Sequence, residues 1–395
     1  MGEICRRRSL AVRERWNHPR TGGGGCYCPL LMTAESPLVL LLADSFSMRG
    51  TSAYTLRLAE QLPKYGFRPQ VVCPCARMVT PDSRGELPIE EYPHLLTPVW
   101  GQIVRRWLLT DLCEEPPTLI HIQSRHLLPL GTWLAKRLGC PFVVTVHDFL
   151  QPRECLPFSP TWGHHIIAVS EAVRGELQQR TKLKPELFSV ISNGVDVPSE
   201  TPRPIFEPHR TPVIGTAGAL EAVKGFPFFL GAAQRVAAAD VAAEFLIAGA
   251  GPEEANLRRL ARELEIADRI TFVPNVLDLT ASLSAMDIFC LPSLRQGLGT
   301  LMLEAMSLGR PVIASHVDGV DSIVRDNETG LLVPPSNSEA LAARMLELLR
   351  DPFRARRLAE AATQLVRRDF SVEQMAQQTV AIYQKVLGIH HAAVA

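Results

Sequence analysis

Residues 286–314 read MDIFCLPSLRQGLGTLMLEAMSLGRPVIA, and this stretch decides the fold. Its apolar run at 288–291 has the length of a buried strand. A glycine-bearing loop at 292–299 follows. A helix opens near Thr300 and carries Leu301, Met302, Leu303 and Met306 before Gly309 and Pro311 stop it. A second apolar run at 311–314 then begins. Strand, loop, helix and strand in this order make a parallel βαβ unit.

The same alternation continues outward. Apolar runs at 213–217, 244–248 and 270–273 are separated by helical patterns reaching about 239 and spanning about 252–264. Further upstream lie runs at 38–43, 70–73, 119–122, 142–146 and 166–169, with helical spacing at 51–62 and up to 136. Pro202, Pro204, Pro208 and Pro212 punctuate the junction and mark a linker or hinge. The expected fold is α/β, with two doubly wound, Rossmann-like domains facing across a cleft. Expected boundaries are a leader at 1–36, a first domain at 37–205 and a second at 206–370. Ligands of such sheets bind beyond the carboxyl ends of the strands, which here line the cleft.

Composition narrows the function. Lys and Arg number 41 and balance 41 Asp and Glu, so no global positive field draws nucleic acid. No apolar run approaches the ~18 residues of a membrane span; any membrane contact is expected to be peripheral. Nine scattered cysteines, an odd number, read as reduced thiols of a cytoplasmic protein. Cys26 with Cys28 and Cys73 with Cys75 lack the two-residue spacing of a zinc site, and there is no Asp-x-Asp pair. No metal and no cofactor are expected. The first 31 residues are basic through Arg6, Arg7, Arg8, Arg13, Arg15 and Arg20, run into glycines at 22–25, and read as a disordered leader ahead of Met32.

The corner at 292–304 has the chemistry of an anion site. The first amides of a helix lack intrahelical acceptors, and the helix dipole favours negative charge there. Gly297 and Gly299 let a phosphate approach the backbone. Each dipole contribution is about 0.3–2 kcal/mol, so several donors must act together. Glu304, one turn in, is placed to accept from a ribose diol. Spacing alone explains an ordinary corner with a solvated Glu304 equally well.

The pattern of 292–313 resembles the retaining glycosyltransferases of family four, which have the GT-B fold. Segments at 166–171, 190–196, 245–252, 270–276, 286–293 and 328–334 resemble the family in the same order, across 37 to about 387. The resemblance implies that Glu304 is the second glutamate of the Glu-x7-Glu signature and holds the ribose. Gly297, Leu298, Gly299 and Thr300 would cradle the diphosphate, and Lys224 would neutralise it as it departs. Asn275 and Val276 would meet the base through backbone atoms. Gly50, in the loop Ser47-Met48-Arg49-Gly50-Thr51, keeps one of a glycine pair facing the donor. His147 would contact the transferred sugar. His121 reads as structural support, Ser170 as a helix cap, and Asn193-Gly194 as a turn near the cleft. A helix at about 371–388 is expected to pack back on the first domain.

Two positions depart from the family. Gln296 stands where the first signature glutamate contacts the sugar hydroxyls; it hydrogen-bonds but carries no charge. Ala219 stands where an arginine commonly accompanies Lys224, with Arg295 or Arg49 as substitutes. The implied activity is retaining transfer of a sugar from a nucleotide-diphosphate sugar to a saccharide or lipid-linked acceptor. Cell-surface polysaccharide synthesis at the inner face of the membrane is the implied setting. The two departures leave open a non-catalytic nucleotide-binding or scaffold protein, and the fold leaves open a nucleotide-sugar epimerase.

Overall fold

The computed structural model describes residues 36–46, 50–76, 79, 87–199, 203–274 and 279–389. The basic leader with Cys26 and Cys28, Ser47, Met48, Arg49, Pro202, Asn275 and Val276 lie outside the described residues.

Two parallel sheets organise these residues. The first contains β1 (Leu38–Leu42), β2 (Arg68–Cys73), β3 (Ile89–Glu91), β4 (Leu119–Ile122), β5 (Phe142–Val146), β6 (Gly163–Ala168) and β7 (Phe188–Val190). Their spatial order is β3-β2-β1-β4-β5-β6-β7. Its helices are α1 (Gly50–Gln61), α2 (Trp100–Glu114), α3 (Leu128–Leu138) and α4 (Glu171–Arg180). The second sheet contains β8 (Val213–Ala217), β9 (Glu244–Ala248), β10 (Ile270–Val273), β11 (Ile288–Leu291), β12 (Val312–Ser315) and β13 (Leu331–Val333), ordered β10-β9-β8-β11-β12-β13. Around it run α5 (Phe226–Ala238), α6 (Glu254–Glu263), α7 (Thr280–Ala285), α8 (Thr300–Ser307), α9 (Ser338–Arg350) and α10 (Pro352–Asp369), and α11 (Val372–Leu387) closes the fold.

Every residue of β1, β4, β5 and β11 is buried. That is why these strands, His121 and Thr145 aside, are apolar rather than alternating: helices cover both sheet faces. In each sheet the winding reverses once, between β1 and β4 and between β8 and β11. Such switch points open crevices at the carboxyl edge. Gly50 lies eight residues beyond the end of β1, while His147 follows β5, Lys224 lies shortly after β8, and the glycine corner follows β11.

The proline segment expected as a hinge is anchored at its second half. Asp287, fully buried, accepts from Phe206 N at 2.6 Å, Arg210 at 2.6 Å and Val213 N at 2.8 Å. The last helix, α11, reaches the first sheet. The Tyr383 hydroxyl lies 2.5 Å from His121 Nδ1, and Gly194 N donates to Met375 Sδ at 3.1 Å.

Candidate active site

The loops after β8 and β11 are tied together by their main chains. Leu294 N donates to Val223 O at 2.9 Å. Gly225, at φ +69°, presses so close to Pro292 O that a Cβ there would sit 2.0 Å from it. The left-handed conformation and the contact both demand glycine. The neighbouring Lys224 is thereby delivered to the glycine corner, where its Nζ donates to Gln296 Oε1 at 2.9 Å. Ser293 Oγ also donates to that oxygen, at 3.2 Å. So Lys224, Gln296 and the corner, far apart in sequence, are one cluster.

Gly299 is the N-cap of α8, with φ +92°, and no side chain caps the helix. Its first amides remain available to an anion. Thr300 opens the helix and its hydroxyl accepts from Asn193 Nδ2 at 2.9 Å. Gly50 lies on the other side of Thr300: a Cβ on it would sit 3.0 Å from Thr300 Oγ1. Leu298 is 2% exposed and belongs to the core, so its side chain is closed to a ligand.

Gly297 differs from the expectation. Its open face, expected to admit a phosphate, is occupied by the first domain: a Cβ would lie 2.7 Å from His147 O and 3.3 Å from Asp148 Cα. Its carbonyl accepts from Ser170 Oγ at 2.7 Å. Ser170 does cap α4, accepting from Val173 N at 3.3 Å, and it also bridges the two domains.

Glu304 lies 3.0 Å from Arg57 of α1. The same guanidinium donates to Asp196 at 2.8 Å and to Gly194 O at 3.3 Å. Arg57 was missed in the sequence, although Gly50, Tyr54 and Arg57 share one face of α1 at helical spacing. Arg295, considered as a replacement phosphate cation, is committed elsewhere. It pairs with Glu176 at 3.1 Å and stacks 4.2 Å from the Phe149 ring centre.

Arg57 aside, the first-domain wall carries neutral groups that are largely unpaired among the described residues. Both ring nitrogens of His147 are buried and make no hydrogen bond of good geometry among the described residues. Burial pushes its pKa down to about 4, although Asn193 and the Gln123 main chain lie close enough to favour its charged form. Asn193 Oδ1 and both amide atoms of Gln123 are likewise buried without partners among the described residues. Unpaired polar groups are rare in native interiors and cost about 1–3 kcal/mol each; their clustering at a sheet edge suits a ligand rich in hydroxyls. Tyr54 packs edge-on to His147 at 4.8 Å. Beneath it His121 Nε2 meets Thr145 Oγ1 at 2.7 Å, so His121 is a buried support, held neutral by burial with a pKa of about 3.

Comparison with known proteins agrees with this architecture. The profile of the glycosyltransferase family 4 matches residues 48–198, and that of the glycosyl transferases group 1 matches residues 211–351. The chain is 30% identical over 286 residues to the alpha-D-kanosaminyltransferase of Streptomyces kanamyceticus, covering 64% of this chain and 72% of that protein. It is 27% identical over 357 residues to the phosphatidyl-myo-inositol mannosyltransferase of Mycolicibacterium smegmatis, covering 86% of this chain and 91% of that protein. Anabaena HepE, solved with UDP and glucose, superposes with a TM-score of 0.76 at 21% identity, over 88% of this chain and all of that one. Profiles on both halves, the 30% relative and the two facing Rossmann-like domains make this chain a member of the group 1, family 4 glycosyltransferases with the GT-B fold.

Proposed function

We propose that the chain transfers a sugar, with retention of anomeric configuration, from a nucleotide-diphosphate sugar to a saccharide or lipid-linked acceptor. The observation that carries this reading is the contact between Lys224 Nζ and Gln296 in the corner ahead of α8. A departing nucleoside diphosphate accumulates negative charge. A fixed ammonium and a row of helix amides meet that charge more strongly in the transition state than in the ground state. Glu304 is assigned to the ribose diol, with Arg57 holding its carboxylate until the nucleotide arrives. Thr300 and the backbone of Leu298 and Gly299 are assigned to the diphosphate, with Gly50 closing over it, and Asn275 and Val276 to the base. His147 and Gln296 are assigned to the sugar: both are neutral and able to donate and accept hydrogen bonds.

The cationic corner supplies the charge that a metal supplies in other transferases, so activity is expected to survive chelation by EDTA. A lipid-linked acceptor is supported by the name of the mannosyltransferase relative, and a nucleotide donor by the ligand in HepE. The proposed setting is the cytoplasmic side of the membrane, in cell-surface polysaccharide synthesis. No helix among the described residues is long and apolar enough to cross a membrane.

The test is release of nucleoside diphosphate from a panel of nucleotide sugars with saccharide and lipid-linked acceptors, with product anomers read by NMR. Acceptor-dependent release with retained configuration is expected. Gln296 and Ala219 favour one rival, a nucleotide-binding scaffold. Tight nucleotide binding without turnover on any donor and acceptor pair would select it.

A further inference from the structure

Five of the eight large hydrophobic side chains exposed among the described residues lie in one short segment. They are Leu96, Val99, Trp100, Ile103 and Trp107, with Val99 75%, Trp100 64% and Trp107 61% exposed. Scattered exposed apolar residues need no explanation, but a contiguous set does. Helix α2 already has its core face, made by Gly101, Val104, Leu108 and Leu112. Trp100, Ile103 and Trp107 follow a second stripe at i, i+3 and i+7. A helix covering a sheet carries polar residues on that side.

We propose that α2 and the turn before it form a face that docks on an anionic lipid bilayer. Two indoles on one stripe suit the headgroup layer, where an apolar ring and a polar N–H are both satisfied. Arg106 is exposed and Arg105 half-buried beside the stripe, and neither forms an ion pair among the described residues. Such unneutralised cations complement anionic headgroups. The carboxylates of this region sit at the far end of α2, and two are engaged: Asp111 accepts from the Tyr92 hydroxyl at 2.8 Å, and Glu115 pairs with Arg68. Charge therefore tilts the amino end of α2, with its tryptophans, toward the lipid. A second copy of the chain fits the patch less well. Stable interfaces use about 20–30 residues a side, and this patch offers five. Docking here needs neither donor nor acceptor, so it stands or falls apart from sugar transfer.

Flotation of the full chain with phosphatidylcholine vesicles, with and without an equal part of phosphatidylglycerol, tests it. The chain is expected to float with the anionic vesicles and to show blue-shifted tryptophan emission. Trp100→Ser with Trp107→Ser should weaken partitioning at least about tenfold. Arg106→Glu should weaken it about three- to tenfold, on anionic vesicles only, and added salt should act in the same direction. These exposed substitutions should leave the melting curve in place. No flotation of the unaltered chain, or flotation undiminished by the double serine variant, would overturn the proposal. So would a concentration-dependent dimer lost in that variant without any vesicle binding.

Discussion

The carboxyl edges of the two sheets are built alike and furnished differently. Past the second sheet stand Lys224 and the uncapped start of α8, each beside a glycine turn, with Glu304 one turn into that helix. Past the first stand His147, Gln123 and Asn193, neutral and buried, above the aromatic and hydroxyl chain of Tyr54, Thr145 and His121. The same topology therefore sets a cation and an uncapped helix start on one wall and neutral hydrogen-bonding groups on the other. Topology fixes where a ligand sits, and the loop residues fix which chemistry each wall accepts.

The largest expected effect lies on the charged wall. Lys224→Ala should lower kcat about 10²–10³-fold, the usual consequence of removing one group that stabilises developing charge. Donor affinity should fall less, and steady-state kinetics on the preferred donor separate the two. Equal losses would make Lys224 a uniform binding group.

On the neutral wall the expected signature is in stability. Burial lowers the pKa of His121 to about 3 and of His147 to about 4, below the unfolded value near 6.5. The unfolded chain then binds protons that the folded chain refuses, so stability falls as pH drops from about 6.5 toward 4. For fully buried His121 the slope approaches about 1.4 kcal/mol per pH unit. Denaturant melts across this range should show it, and His121→Asn should lower the plateau and remove the His121 share of the slope, leaving that of His147.

A smaller effect is expected where the walls touch. Gly297→Ala puts a methyl 2.7 Å from His147 O, which is main chain and cannot swing aside. The domains must separate locally, at about 1–3 kcal/mol. Turnover should drop about tenfold while the melting temperature of each domain holds; unchanged turnover would show that catalysis does not use this approach of the two walls. His147→Gln should be milder still, about tenfold or less in kcat/KM. It should leave nucleoside diphosphate affinity unaltered, because His147 is proposed to meet the sugar and not the diphosphate.

The contrast between the walls was only partly legible in the sequence. Buried parallel strands such as β5, β8, β9 and β11 announce themselves as mostly apolar runs without alternation, and they lie at the residues expected. The edge strands β3, β7 and β13 span three residues each, too few to show a period. Lys224 and the glycine corner were visible because backbone constraints leave glycines in their wake. The partners that cross between domains were not. Ser170 reads correctly as a cap yet also reaches Gly297, and Arg57 sits on a helix face that looks solvated until α8 brings Glu304 to it. Contacts over a hundred or more residues leave no local spacing to read. Gly297 shows the same limit: a glycine signals close approach without saying whether a ligand or the other domain approaches.

The proposed transfer requires that Lys224 and the start of α8 bind the terminal phosphate of a nucleoside diphosphate. Calorimetric titration of the unaltered chain and of Lys224→Ala with a nucleoside diphosphate and the matching monophosphate tests it most directly. The diphosphate should bind at least about tenfold more tightly to the unaltered chain, and that advantage should collapse in the variant. An advantage of the same size in both proteins would remove Lys224 from the diphosphate site.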